Sequence, residues 1–164
     1  RVLDFDPEFL GDDQEHEHDA RVSSVAIKVS YQVNLEMIQR WISRLISDEG
    51  ANLYRYKGVL AVKGVDQMFV FQGVGMIFSG GFEGNWKVPE SQRESRFVFI
   101  GKELDHDFLR STFVACRATD KLRFAVGEKV YANVGSFLPG KVLKHWDEGN
   151  AYRIELEGDG KNVW

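Results

Sequence analysis

The chain is poor in cysteine and proline, with one Cys and three Pro in 164 residues. A single thiol, Cys116, excludes an internal disulfide framework and any Cys-x-x-Cys metal knuckle. Its setting, Phe113-Val114-Ala115-Cys116, is that of a buried helix residue rather than a reactive thiol, and it is compatible with a reducing compartment. Long hydrophobic runs are also missing, so no membrane-spanning helix is expected. The start, Arg1-Val2-Leu3-Asp4-Phe5-Asp6-Pro7, lacks the basic opening and apolar stretch of a signal peptide, which makes the expected location intracellular rather than secreted. It also lacks an initiator Met, as expected of a processed or truncated piece.

Catalytic motifs are equally scarce. The phosphate cradle G-x-x-x-x-G-K-[ST] has no match; the nearest stretches, Gly58 to Gly64 and Gly80 to Lys87, lack the required residues. No G-x-S-x-G elbow occurs, and His106 and His145 stand apart in sequence from any plausible nucleophile. No catalytic residue is therefore expected, and the chain reads as a binding domain.

What is present is apolar bulk and an uneven charge. Hydrophobic residues make up 43%, including twelve Phe and four Trp, enough to build a core. Residues 1–19 hold eight acids and one base, while the remainder holds seventeen acids and twenty bases. An acidic leader on a mildly basic body gives no general attraction to nucleic acid or to an anionic membrane.

After the leader, Val25, Ile27, Val29 and Tyr31 alternate with polar or small residues as a half-buried strand. Asn34 then suits a helix N-cap, Ile38, Trp41, Ile42, Leu45 and Ile46 follow at helical spacing, and Gly50 stops the helix. Tyr54, Tyr56, Gly58, Leu60 and Val62 share one strand face. A turn at Lys63-Gly64-Val65-Asp66 leads to a second arm running from Met68 to Phe78. Ser79-Gly80-Gly81 breaks that arm, and Phe82 to Arg93 reads as a polar loop. The nearby glycines, Gly73, Gly75, Gly80 and Gly81, suit a bulge and close packing. Ser95 to Lys102 is a further strand, and Asp105 caps a second helix in which Phe108, Leu109, Thr112, Phe113 and Cys116 line one side.

This order predicts an α+β fold of the ferredoxin-like, split β-α-β kind: an antiparallel sheet with two helices on one face. Beyond it, Glu128 to Val134, Gly140 to Trp146 and Ala151 to Leu156 are short alternating segments, the pattern of a small SH3- or Tudor-like barrel, complete or cut short at Trp164, that is marginal alone and expected to lean on the first domain. The expected organisation is a His-bearing acidic linker over 1–20, an α+β domain over 21–118 and a small β segment over 119–164.

Two ligand sites can be drawn from residue types. His16-Glu17-His18-Asp19 offers imidazole nitrogens and a carboxylate at a spacing that can converge on one zinc or cobalt ion, with His16, His18 and Asp19 as the metal ligands; the same run also suits a solvated acidic linker. Tyr131, Phe137, Trp146, Tyr152 and Trp164 could form an aromatic cage for a methylated lysine, or simply the core of the small barrel.

Several stretches resemble a known family. Leu53-Tyr54-Arg55-Tyr56-Lys57-Gly58-Val59-Leu60-Ala61-Val62-Lys63-Gly64, Phe69-Val70-Phe71-Gln72-Gly73-Val74 and Arg96-Phe97-Val98-Phe99-Ile100-Gly101-Lys102 are similar to the CobW C-terminal domain. The leader, Leu3-Asp4 and Asp6-Pro7 followed by His16 and His18, resembles the His-bearing linker that joins that domain to a GTPase domain; the likeness runs over about 2–117. It implies a client- or partner-docking domain of a GTP-dependent zinc or cobalt chaperone, with GTP bound only by an N-terminal P-loop domain that this sequence does not contain. The implied partners are that GTPase domain, a client metalloprotein or the subunits of a protein complex. The His tract is shortened to two residues, and 119–164 falls outside the family pattern. Barrel-like tails in algal relatives extend the expected setting to a plastid. The alternative is a scaffold or assembly subunit that keeps the fold without the GTPase.

Overall fold

Strand β1 (Val22–Val29) begins the first sheet. In the computed structural model, residues 21–164 are described. Val25 and Ile27 of β1 are buried, and the intervening positions face outward, as a period of two requires. Helix α1 (Leu35–Glu49) starts at Asn34, whose side chain accepts a hydrogen bond from the Met37 amide at 3.1 Å. Its buried face is Ile38, Ile42 and Leu45, and Gly50 closes it through a bond to the Ile46 carbonyl. Strands β2 (Leu53–Leu60), β3 (Gln67–Val74), β4 (Ile77–Asn85) and β5 (Ser95–Lys102) follow, then α2 (His106–Val114), capped by Asp105.

The sheet order is β1-β5-β2-β3-β4, with every neighbour antiparallel. Because β5 lies antiparallel to both β1 and β2, these two are parallel to each other and joined by α1. This is the split β-α-β arrangement. Both helices cover the same face: Trp41 of α1 and Phe113 of α2 each meet Phe97 edge-on, with centroids 6.0 and 4.7 Å away. Val33, fully buried, ties the helix ends to the sheet. Its amide donates to Ala61, its carbonyl accepts from Lys63, and the next amide, Asn34, donates to Cys116.

Glycines make room for the aromatic core. A Cβ on Gly58 would lie 2.4 Å from that of Phe97 and 2.7 Å from the Phe71 ring. One on Gly73 would lie 2.1 Å from the Tyr56 ring, and the Tyr56 hydroxyl donates to the Ile77 carbonyl at 3.1 Å.

The structure corrects several expectations. The arm read from Met68 to Phe78 is two strands: the chain reverses at Gly75, φ +56°, and Ser79-Gly80-Gly81 lies inside β4 instead of ending a strand. Gly80 is tolerated there because Phe78 folds over it, within 2.7 Å of where a side chain would begin. A register shift between Leu53 and Arg55 turns Tyr54 outward and puts Leu53 in the core with Tyr56. Helix α2 ends at Val114, so Cys116 occupies the turn beyond it, and Phe108 is half exposed.

The C-terminal strands β6 (Lys129–Asn133), β7 (Phe137–Asp147), β8 (Asn150–Leu156) and β9 (Asn162–Val163) pair in sequence order as an antiparallel meander. Phe137 to Pro139, which fall between the expected segments Glu128 to Val134 and Gly140 to Trp146, belong to β7; the reversal is confined to Val134, Gly135 and Ser136, with Gly135 at φ +96°. The β7–β8 end of the meander meets the β2–β3 loop and the segment that follows α2. The Trp146 indole donates to the Thr119 carbonyl at 3.0 Å, and a Cβ on Gly64 would fall 2.3 Å from the Trp146 carbonyl oxygen.

Candidate docking surface

Chemistry-bearing side chains are engaged in structure rather than gathered in a site. His106 Nε2 lies 2.9 Å from Ser23 Oγ, holding the start of α2 to β1. His145 Nε2 lies 2.7 Å from the Phe124 carbonyl, and its ring meets Tyr152 edge-on. Burial pushes the Cys116 thiol up to about 11, so it stays protonated at neutral pH and is no ready nucleophile or metal ligand. Among the described residues no three His, Cys, Asp or Glu side chains come together as a metal site. His16, His18 and Asp19 lie outside the described residues.

The five aromatics considered for a cage are dispersed. Trp146 is buried, Tyr152 packs on Phe124, and Trp164 stacks with Arg153, while Tyr131 and Phe137 stand 73% and 70% exposed. No described ring contact joins two of the five.

What the molecule does display is apolar surface. The tip of the β3–β4 hairpin lies beside the Gly50 end of α1, and there Val74, Met76 and Ile77 are 62%, 69% and 76% exposed. Phe78 and Phe82, on the helix side of the same hairpin, are over a third exposed although their rings touch Phe71 and Phe69. Adjacent exposed apolar residues on a hairpin are unusual on a self-sufficient surface and mark contact sites. A single arm running from Met68 to Phe78, as expected from the sequence, leaves no tip at this position. The signal was available in the unbroken run Val74-Gly75-Met76-Ile77-Phe78, where alternation fails. A second apolar tip, with Tyr131, Val134, Phe137 and Leu138, caps β6–β7.

Residues 22–117 match the family described as "Cobalamin synthesis protein cobW C-terminal domain". The chain belongs to this family. It is similar to the zinc chaperone YjiA of Escherichia coli (strain K12), with 29% identity over 96 residues, covering 58% of this chain and 30% of that protein. The crystal structure of Zn(II)-bound YjiA GTPase from E. coli superposes with a TM-score of 0.56 and 28% identity, over 60% of this chain and 30% of that one. A Zn(II)-bound triple mutant of the same GTPase matches to the same extent. This CobW-family chain thus spans about 30% of the length of the relatives it matches. No helix among its described residues is long and apolar enough to cross a membrane.

Proposed function

We propose that this chain is the client- or partner-docking domain of a CobW-type, GTP-dependent metal chaperone and performs no catalysis by itself. GTP binding and hydrolysis belong to a P-loop domain outside this sequence, and zinc or cobalt is cargo. The observation that carries the docking role is the exposed tip of β3–β4, Val74, Met76 and Ile77, inside the family-matched region. A zinc cargo is favoured by the relatives, one named a zinc chaperone and one solved with Zn(II). In this reading His16, His18 and Asp19 carry the ion between domains or partners in the cell interior, because neutral imidazole and carboxylate suit both metals.

The test uses the full chain and a separately produced CobW-type GTPase domain, with binding followed by calorimetry in GTP analogue and in GDP. Met76→Glu/Ile77→Glu is expected to weaken association by about tenfold or more, the loss from placing charge in an apolar contact. Unchanged affinity would remove the hairpin from the account. In a zinc titration of the same protein, His16→Ala/His18→Ala should abolish the heat of binding, and identical heats would remove the leader.

A second reading, a scaffold subunit without a GTPase, is favoured by the apolar β6–β7 tip at Tyr131 and Phe137, which lies beyond the family match. It predicts no association with a GTPase domain in either nucleotide state.

A further inference from the structure

The helices cover one face of the first sheet, and the strand residues on the other face have an uneven chemistry. Alternation in β1, β2 and β5 aims Lys28, Arg55, Lys57, Arg96 and Lys102 to this side. Between them lie Ala26, Val59, Val70, Val98 and Ile100, and the centre of the face is a shallow apolar depression. Glu94 neutralises part of one edge, bonding Lys28 at 2.9 Å and also Arg96. Arg55, Lys57 and Lys102 make no ion pair among the described residues. An apolar strip flanked by unpaired cations calls for an acidic occupant with apolar side chains of its own.

Other occupants fit less well. Single-stranded nucleic acid on a sheet needs exposed rings for base stacking. Here Tyr56, Phe71, Phe97 and Phe99 are buried toward the helices, and the rings nearest the open face, Tyr54 at the β2 register shift and Trp86 beside Val59 and Arg96, stand at its margins rather than in a stacked row. A second copy packed face to face would bring like charges together.

One segment of this chain has the required composition. Residues 1–20 carry eight acids against one base, interspersed with Val2, Leu3, Phe5, Phe9 and Leu10. They join directly onto β1, the edge strand of this sheet. At about 3.3 Å per extended residue they have ample length to cross strands spaced about 4.8 Å apart. The tether also supplies a high effective concentration, so modest contacts suffice.

We propose that the acidic leader, residues 1–20, docks across the helix-free face of β1, β5 and β2, its carboxylates meeting Arg55, Lys57 and Arg96 and its apolar side chains entering the depression at Val59 and Val98. The inference does not depend on metal binding by His16 and His18.

Zero-length carbodiimide coupling on the full chain tests it, using an equal mixture of natural-abundance and heavy-nitrogen protein at low concentration. Peptide mass spectrometry should find links from leader carboxylates to Lys57 in several-fold excess over links to Lys121 and Lys129, each within one isotopic species. The excess should vanish in about 0.5 M salt, where screening acts within a few ångströms, and in Arg55→Glu/Arg96→Glu. Equal yields at all three lysines, or an excess that ignores salt, would overturn the proposal. Isotopically mixed links to Lys57 would also overturn it, assigning the face to a second copy. None of these readouts involves metal or a GTPase domain, so failure here leaves the proposed function standing, and the reverse holds too.

Discussion

The two sheets of this protein reach stability by different means. In the first, two helices press Ile38, Ile42, Leu109 and Phe113 onto an aromatic layer, and Tyr56, Phe71, Phe99 and Phe113 are at most 2% exposed. Each such side chain contributes about 1.5–3 kcal/mol on burial. In the second, no helix among the described residues covers the meander, and of its buried hydrophobic side chains Val142 is the deepest, at 1% exposed. Polar contacts organise it in part. Asp147, 8% exposed, accepts from Lys144 at 2.6 Å, from Arg153 at 3.4 Å and from the Trp164 indole at 3.1 Å. A sheet with a covered face can rely on non-directional burial, whereas a bare meander needs directional bonds to fix its strands.

Three substitutions would break or sharpen this contrast. The largest effect is expected for Phe99→Ala, which empties the space between Trp41 and Tyr56. It should cost about 3–5 kcal/mol in chemical denaturation, and hydrogen exchange should rise in β1, β2, β5 and both helices before the meander. Equal loosening of both sheets would show that they share one cooperative core.

Gly58→Ala comes next. Its methyl group would meet Phe97 and Phe71 at distances no side chain tolerates, so overpacking should cost about 1–3 kcal/mol. Pairing it with Phe71→Leu should recover part of the loss if crowding, and not strand propensity, is the cause.

The smallest and most local effect is expected for Asp147→Asn. The hydrogen bond from Lys144, then that from Trp164, hold this carboxyl below its ordinary range against the opposing effect of burial, with Arg153 adding a lesser pull. A depressed carboxylate stabilises the folded state fully above its unfolded value of about 3.9, and that contribution is lost as pH falls through the lower folded value. Thermal melts from neutral to strongly acidic pH should therefore show a steeper acid decline for the native protein than for Asp147→Asn, with the difference confined to β7, β8 and β9. Parallel pH curves would assign the decline to other carboxylates.

Much of the first sheet was legible because its signals are local. Asn34 and Asp105 announce their helices by capping chemistry, and the Ser95 to Lys102 alternation gives β5 without tertiary information. The β3–β4 reversal was not legible, because an apolar segment reads alike whether it continues or folds back on itself. Only a positive φ at Gly75 and the pairing of Phe69 with Phe82 distinguish the two. The same ambiguity concealed the exposed tip, and with it the candidate docking surface. The proposed ligands His16, His18 and Asp19 were visible only as a composition pattern.

By itself the sequence determined the two helices and a basic body behind an acidic leader, since periodicity, caps and charge are properties of neighbouring residues, and its ordered motifs sufficed to match the CobW C-terminal family. Tertiary structure alone decided that β5 lies between β1 and β2, that Gly58 and Gly73 seat aromatic rings, and that Lys57 and Arg96 share the helix-free face. Those facts depend on which distant strands pair, and long-range pairing is settled by the fit of the whole core.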